Sequence, residues 1–230
     1  LASEVVLADS GSTDRTMDIA RAAGARVLHR DWEGYGLQKQ FALENAAGPW
    51  VLNIDADERV TPALADEIRA VLSGSAVVNG YHIPFNHFFL GRRLRFGRFS
   101  TETHLRLFRK TAARYGTQQI HEGIEVAAPL GLLKKPIDHF SYHDLAEYLD
   151  KCNRYTSMIA EKRFAEGHRF HLYHHLRLPF EFVSRYVLRL GFLDGEAGLT
   201  YAQLSSYYVW MKFLKLRDLQ RADRTKGTAT

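Results

Sequence analysis

The stretch Trp50-Val-Leu-Asn-Ile-Asp-Ala-Asp-Glu58 constrains this chain more than any other. Trp50, Val51, Leu52 and Ile54 form a short apolar run of the kind that fills a buried strand, with Gly48-Pro49 before it and Thr61-Pro62 after it as punctuation. Three carboxylates, Asp55, Asp57 and Glu58, then arrive together. In an extended chain, residues two apart face the same way, so Asp55 and Asp57 converge on one small volume. Two such charges repel unless a cation lies between them. A hard divalent ion, Mg²⁺ or Mn²⁺, held by protein carboxylates and substrate phosphates together meets that need. The alternative is an Asp-rich turn that closes the strand and caps the next helix.

The surrounding segments alternate. Glu4–Ala8 reads as a buried strand, a Gly/Ser/Thr turn runs from Asp9 to Thr13, and a helix follows to about Ala23, where Gly24 stops it. Ala25–His29 is a second strand, Gly34-Tyr-Gly36 a loop, and Leu37–Ala47 a helix with Leu37 and Phe41 facing inward. After the Trp50 strand, Thr61 caps a helix that starts at Pro62 and buries Leu64, Ile68 and Val71 or Leu72. This order predicts an α/β fold with a parallel sheet, whose ligands bind beyond the carboxyl ends of the strands, where Asp9, Asp55 and Asp57 fall. Strands at Tyr81–Phe85, Leu94–Phe99 and His104–Arg109 follow, then one at Ile124–Ala127 and a helix over 144–166 with Leu145, Tyr148, Leu149, Cys152 and Tyr155 or Thr156 on one side.

Six pieces occur in order over nearly the whole chain: Asp9-Ser-Gly-Ser-Thr-Asp14, Gly36-Leu-Gln-Lys-Gln-Phe-Ala-Leu43, Asp55-Ala-Asp-Glu58, Leu105-Arg-Leu-Phe-Arg109, His121-Glu122 and Gly191-Phe-Leu-Asp-Gly195. The set resembles the inverting nucleotide-sugar transferases of glycosyltransferase family 2, in the branch that adds glucose to the lipopolysaccharide inner core. The resemblance implies a GT-A type catalytic domain over 1–143, a Rossmann-like mixed sheet flanked by helices, and a C-terminal amphipathic helical region over 144–230. It implies transfer of a hexose from a UDP-sugar, with UDP-glucose foremost, to a hydroxyl of a lipopolysaccharide core or related glycan. Asp55 and Asp57 would hold the metal, with His139 as a further ligand. Asp9, Lys39, Asp55, Arg106 and Arg109 would hold the donor, and Glu122 would be the general base. Gln40 departs from the asparagine usual at its position. Family members also open with one more strand and helix, so such a unit is expected to precede Leu1.

The net charge of +5 lies entirely in residues 169–230, since acidic and basic side chains balance over 1–168. Two helical stretches there interleave Arg177, Arg185, Arg189, Lys212, Lys215 and Arg217 with tyrosine, tryptophan and leucine. That composition suits an anionic membrane surface, or packing against another protein surface. Arg92, Arg93, Arg95 and Arg98 among phenylalanines suit a phosphorylated acceptor or a solvated loop, and no nucleic-acid-binding motif accompanies them. Cys152 is the single cysteine, which excludes an internal disulfide and a cysteine-based zinc site and fits a reducing compartment. No apolar run approaches the roughly 20 residues that span a bilayer. A cytoplasmic protein peripheral to the inner face of the cytoplasmic membrane is therefore expected. Two other classes remain open: a non-catalytic membrane-bound scaffold, and a nucleotidyltransferase.

Overall fold

The computed structural model describes residues 1–74, 77–97, 99, 102–116 and 123–227, with Lys226 and Gly227 as backbone only. They form two compact units, one of residues 1–85 with 103–137, the other of 86–102 with 138–230.

In the first unit, β1 (Val6–Asp9), α1 (Thr16–Ala22), β2 (Arg26–His29), α2 (Tyr35–Asn45) and β3 (Trp50–Leu52) follow the expected alternation. A short β4 (Glu58–Val60) and α3 (Pro62–Ser73) come next. The Thr61 hydroxyl caps α3 by accepting the Leu64 N–H at 3.2 Å, and Pro62 takes the first helical position, where a missing N–H costs nothing. Leu64 and Ile68, one turn apart, are 0% and 2% exposed and pack with Ile83, Leu107 and Ile137 into the core. That much matches the sequence pattern.

The expectation of one parallel sheet needs correction. β1 and β2 pair in parallel, from Val6 opposite Arg26 to Asp9 opposite His29, but as a two-stranded sheet of their own. β3 instead pairs antiparallel with β7 (Thr103–Arg109), Trp50 opposite Arg109 and Leu52 opposite Leu107. β7 in turn lies antiparallel to β5 (Gly80–Phe89). The reason is visible in β7, where adjacent Leu107 and Phe108 are 1% and 0% exposed. With both faces covered, it belongs inside a sheet and draws β3 to its edge. β6 (Arg92–Leu94), β8 (Ala113–Tyr115), β9 (Ile124–Val126), β10 (Leu130–Leu132) and β11 (Ile137–Tyr142) complete the strands. The large sheet is mixed, in the order β3-β7-β5-β11-β4, with β6 and β10 also paired to β5.

The second unit carries the end of β5, which turns at Leu90-Gly91 with φ of 47° and 76° straight into β6. Two consecutive left-handed residues make the tight hairpin turn that matches strand twist, so the strand expected over Leu94–Phe99 begins earlier and is shorter. α4 (Leu145–Ala165) buries Tyr148, Cys152, Thr156 and Ala160 at a strict four-residue spacing. Leu145 and Leu149, expected on that face, are 47% and 42% exposed. α5 (Arg177–Phe182) runs into a π-helical turn at Val183–Leu188, and a 3₁₀ turn at Gly191–Asp194 leads into α6 (Gly195–Gly227). The Gly191-Phe-Leu-Asp-Gly195 motif has a packing role here. A Cβ on Gly198 would lie 1.9 Å from the Gly191 carbonyl oxygen, and one on Gly191 would lie 2.5 Å from that of Arg185. Asp194 accepts the backbone N–H groups of Arg95 at 3.0 Å and Phe96 at 2.9 Å, tying the hairpin loop to the start of α6.

Ile83 is 0% exposed at the centre of the first core. Ile83→Ala should cost about 2–5 kcal/mol, read as a lower urea midpoint with an unchanged slope.

Candidate active site

The site is assembled in the first unit from α2, the turn after β3, and β7. α2 starts after Gly34, whose φ of 118° favours glycine. A Cβ on Gly36 would meet the Gly116 carbonyl oxygen at 2.3 Å, so the first turn of α2 touches main chain directly. One turn on, the Gln40 side chain accepts the Tyr115 N–H at 2.9 Å, which gives the departure from asparagine a structural role. With α2 fixed in this way, Lys39 Nζ reaches Asp55 at 2.9 Å.

Asp55 does not sit in extended chain. The Glu58 N–H donates to the Asp55 carbonyl at 3.0 Å, closing a turn between β3 and β4. Strand alternation therefore does not govern Asp55 and Asp57, and the following helix is capped by Thr61 rather than by an aspartate. The cation that the acidic cluster needs is supplied by the protein. Arg106 on β7 donates to Asp55 Oδ2 at 2.7 Å and also to Glu58 Oε1. Glu58 Oε2 in turn accepts the Asp55 N–H at 3.0 Å. The Glu58 side chain is 1% exposed and that of Arg106 13%, so this bridge is largely out of water. Burial pushes the Asp55 carboxyl up, but Arg106 and Lys39 outweigh it and hold the group below its usual value. The two carboxylates likewise overcome burial at Arg106 and keep it charged.

Among the described residues, four buried polar groups of this unit have no hydrogen-bond partner: the Tyr115 hydroxyl, Arg106 Nε, the Gln38 side-chain amide and Arg30 Nε. Tyr115 is 4% exposed, and burial raises its hydroxyl far above its ordinary range, so it stays a neutral donor. An orphaned buried group in a native site calls for a partner, such as water or ligand. Gln38 and Tyr115 were not singled out from the sequence, and Glu58 entered only as one of three clustered acids. Gln38 lies inside the Gly36–Leu43 motif and was accessible there, whereas Tyr115 carried no signal.

The other expected residues have different surroundings. Asp9 is 6% exposed, and its carboxylate accepts the Gly11 N–H at 2.7 Å, the Ser12 N–H at 3.0 Å and the Ser12 hydroxyl, bonds that lower its pKa. Arg109 lies over the Trp50 ring, 4.7 Å from its centroid, opposite the start of β3, while the Asn53 N–H reaches the Arg106 carbonyl just past the end of β3. Strand register thus brings Arg106, not Arg109, to Asp55. His139, in the second unit, has its Nδ1 3.3 Å from that of His87. Glu122 and Arg98 lie outside the described residues.

Among the described residues no group of three or more His, Cys, Asp or Glu side chains forms a metal cluster. A Mg²⁺ or Mn²⁺ shared with a diphosphate needs only one or two carboxylates. Asp55 has two of its roughly four lone-pair positions engaged. Asp55 therefore offers hard oxygens of the kind such an ion takes, and Asp57 is a second carboxylate two residues on.

The sequence model of "Glycosyl transferase family 2" matches residues 1–134, more than half of the chain. This chain belongs to glycosyltransferase family 2. It is a glycosyltransferase with the α/β, GT-A type fold of that family, extended by C-terminal helices. It is 30% identical over 224 residues to the lipopolysaccharide core biosynthesis glycosyltransferase LpsC of Rhizobium meliloti, a match covering 91% of this chain and 83% of LpsC. An uncharacterized glycosyltransferase of Rickettsia typhi is 27% identical over 236 residues, covering 96% of this chain and 80% of the relative. Among solved structures, S. aureus TarS 1-349 in complex with UDP-GlcNAc aligns with a TM-score of 0.47 at 14% identity, over 93% of this chain and 83% of TarS 1-349.

Two predictions follow from the bridge in this family 2 transferase. Arg106→Met strands the buried Glu58 charge and should destabilise the protein by about 3–5 kcal/mol in urea. Adding Glu58→Gln should recover part of that loss. A folded-state pKa held below the unfolded value stabilises fully above the unfolded carboxylate value of 3.8, and the contribution fades as pH falls through the folded one. Wild type should therefore exceed Asp55→Asn in stability at neutral pH, and the two should converge in strong acid.

Proposed function

We propose that this enzyme transfers a hexose from a UDP-sugar, UDP-glucose foremost, to a hydroxyl of a lipopolysaccharide core glycan, with inversion at the anomeric carbon. The observation that carries the reading is the Lys39–Asp55–Arg106–Glu58 network just beyond the carboxyl end of β3, where α/β sheets bind their ligands. The name of LpsC supports the choice of acceptor.

Each residue has a task in this scheme. Lys39 and Arg106 present two cations that accept a diphosphate while Asp55 keeps them aimed. Glu58, buried and bonded to Arg106, holds that guanidinium in place. The Gln38 amide and the Tyr115 hydroxyl supply polar groups in need of partners, which suits the uracil or ribose of the donor. Asp9 fixes its own loop through the Gly11 and Ser12 N–H groups, pre-setting the wall at the end of β1 for the uridine. A divalent ion held by Asp55 and Asp57 would offset charge on the departing diphosphate. Glu122 takes the proton of the acceptor hydroxyl, which becomes acidic only as its oxygen bonds to the anomeric carbon. Release of UDP with a lipopolysaccharide-core acceptor tests the reading. Pyrophosphate release would turn it to a nucleotidyltransferase, and no product from any donor in a panel would turn it to a scaffold.

The second unit supports attachment to the inner face of the cytoplasmic membrane. Leu172, Leu176, Phe180, Val183, Val187 and Leu190 are all exposed, Leu172 by 81% and Leu176 by 67%. No described helix is long and apolar enough to cross a membrane, so the attachment proposed is peripheral.

Calorimetric affinity for UDP should fall sharply in EDTA and in Asp57→Asn, and undiminished affinity in EDTA would remove the metal from the scheme. Glu122→Gln should slow turnover by about 10² to 10⁴ with UDP affinity unchanged. A variant with near-normal turnover would return Glu122 to a structural role.

A further inference from the structure

A second concave site lies wholly within the second unit. It is a cleft of about 500 Å³ lined by Arg163 at the end of α4, by Arg169 and His168 in the loop that follows, by His174, and by Phe213 of α6. That volume is within the range of small-ligand sites. The chain reverses at Gly167, with φ of 83°, and the loop is fixed to α6 by the Phe170 N–H donating to Gln220 Oε1 at 3.0 Å. His174 stacks on Phe213 with centroids 4.2 Å apart, and Arg163 lies over the same ring at 5.1 Å. The walls are thus made of packed, oriented side chains.

The charge of the cleft has one sign. None of its lining residues is acidic. Neither Arg163 nor Arg169 is ion-paired among the described residues. Arg169 is aimed by one guanidinium nitrogen, which donates to the Phe164 and His168 carbonyls at 3.2 and 3.0 Å. Its other N–H groups have no such bonds. His174 Nδ1 accepts the His171 N–H at 2.9 Å, so the ring proton of the neutral histidine is at Nε2, a further donor. Glu166 and Asp218, close in sequence to the lining segments, lie beside Lys162 and Arg217, and Glu181 is paired with Arg185. The effect reaches Lys212 on α6, which burial and then Arg163 make easier to deprotonate.

Two unpaired guanidinium groups in a cleft without carboxylates match a phosphate, whose oxygens suit their forked geometry. The turn that follows, Leu172–Leu176, indicates what carries that phosphate. Leu172, Tyr173 and Leu176 are 81%, 60% and 67% exposed, so apolar side chains stand in solvent next to a cationic cleft with room for a phosphate and the group that carries it. We propose that the cleft binds the phosphomonoester headgroup of a membrane lipid while the neighbouring apolar side chains enter the acyl layer. This rests on the peripheral attachment proposed above and adds to it recognition of a particular headgroup chemistry.

The test uses the full chain and three vesicle types: phosphatidylcholine alone, and phosphatidylcholine with phosphatidate or with phosphatidylserine matched for surface charge. Co-sedimentation should be strongest on phosphatidate. sn-Glycerol 3-phosphate should release the protein from those vesicles but not from the serine vesicles, an arm that needs no variant. Arg163→Gln and, separately, Arg169→Gln should weaken phosphatidate retention about fivefold each, the equivalent of roughly 1 kcal/mol per basic residue at a surface, and should abolish the preference over serine. Equal retention on both anionic vesicles would overturn the headgroup site while leaving peripheral attachment standing. Retention on no vesicle would remove the attachment itself. Calorimetric binding of glycerol phosphate in that case, lost in Arg163→Gln, would reassign the cleft to a soluble phosphate and overturn the lipid assignment.

Discussion

The bridge from Arg106 to Asp55 and Glu58 is the interaction on which the catalytic unit turns. It joins residues 51 and 48 positions apart and resolves the crowding of acids at the end of β3 from within the protein. Much of its strength comes from where it lies. A buried carboxylate such as Glu58 is tolerated only when paired and hydrogen-bonded, and Arg106 together with the Asp55 N–H meets both conditions. The geometry depends on β7 lying beside β3 in one register, since a shift of one residue would turn Arg106 to the opposite face. The core that buries Leu107 therefore also fixes the face from which Arg106 reaches Asp55.

Legibility in the sequence followed the range of the interactions. α3 was readable because everything that defines it is local: the Thr61 hydroxyl, the ring of Pro62 and the spacing of Leu64 and Ile68. β3 was readable from its apolar run, but its partner was not. Nothing near Trp50 says that β7 will lie antiparallel to it, and the parallel expectation failed for that reason. β4 was missed because Glu58-Arg-Val60 is short and charged, and Glu58 was counted as part of an acidic cluster when it is the counter-ion of Arg106. Lys39, Asp55 and Arg106 were legible through the order of motifs along the chain. Arg109 shares a motif with Arg106, yet register sends it to Trp50, because residues three apart in a strand face opposite sides. The Tyr115 hydroxyl had no sequence signal, as its isolation is defined only by what surrounds it.

The helical region shows a different limit. Periodicity put Leu145, Tyr148, Leu149, Cys152 and Tyr155 or Thr156 on one side of α4; Tyr148, Cys152 and Thr156 are buried there with Ala160, while Leu145 and Leu149 are not. Small and polar side chains serve there because close helix contact leaves little room, and Thr156 satisfies its hydroxyl on the Cys152 carbonyl at 2.7 Å. Further on, the π-helical turn at Val183–Leu188 places a wider ring in the backbone than an α-helical wheel assumes. An apolar stripe calculated for an ideal helix loses its meaning across such a turn, and exposure had to be read from the structure.

The contact between Gly198 and Gly191 has one more consequence. Where two chain segments meet main chain against main chain, the distance between them is set by atoms that every amino acid shares. Side chains on the outer surface of residues 172–193 are therefore released from any duty in setting that distance. The two glycines carry the spacing, and the outward side chains are left to whatever surface they meet, as the proposed membrane contact requires.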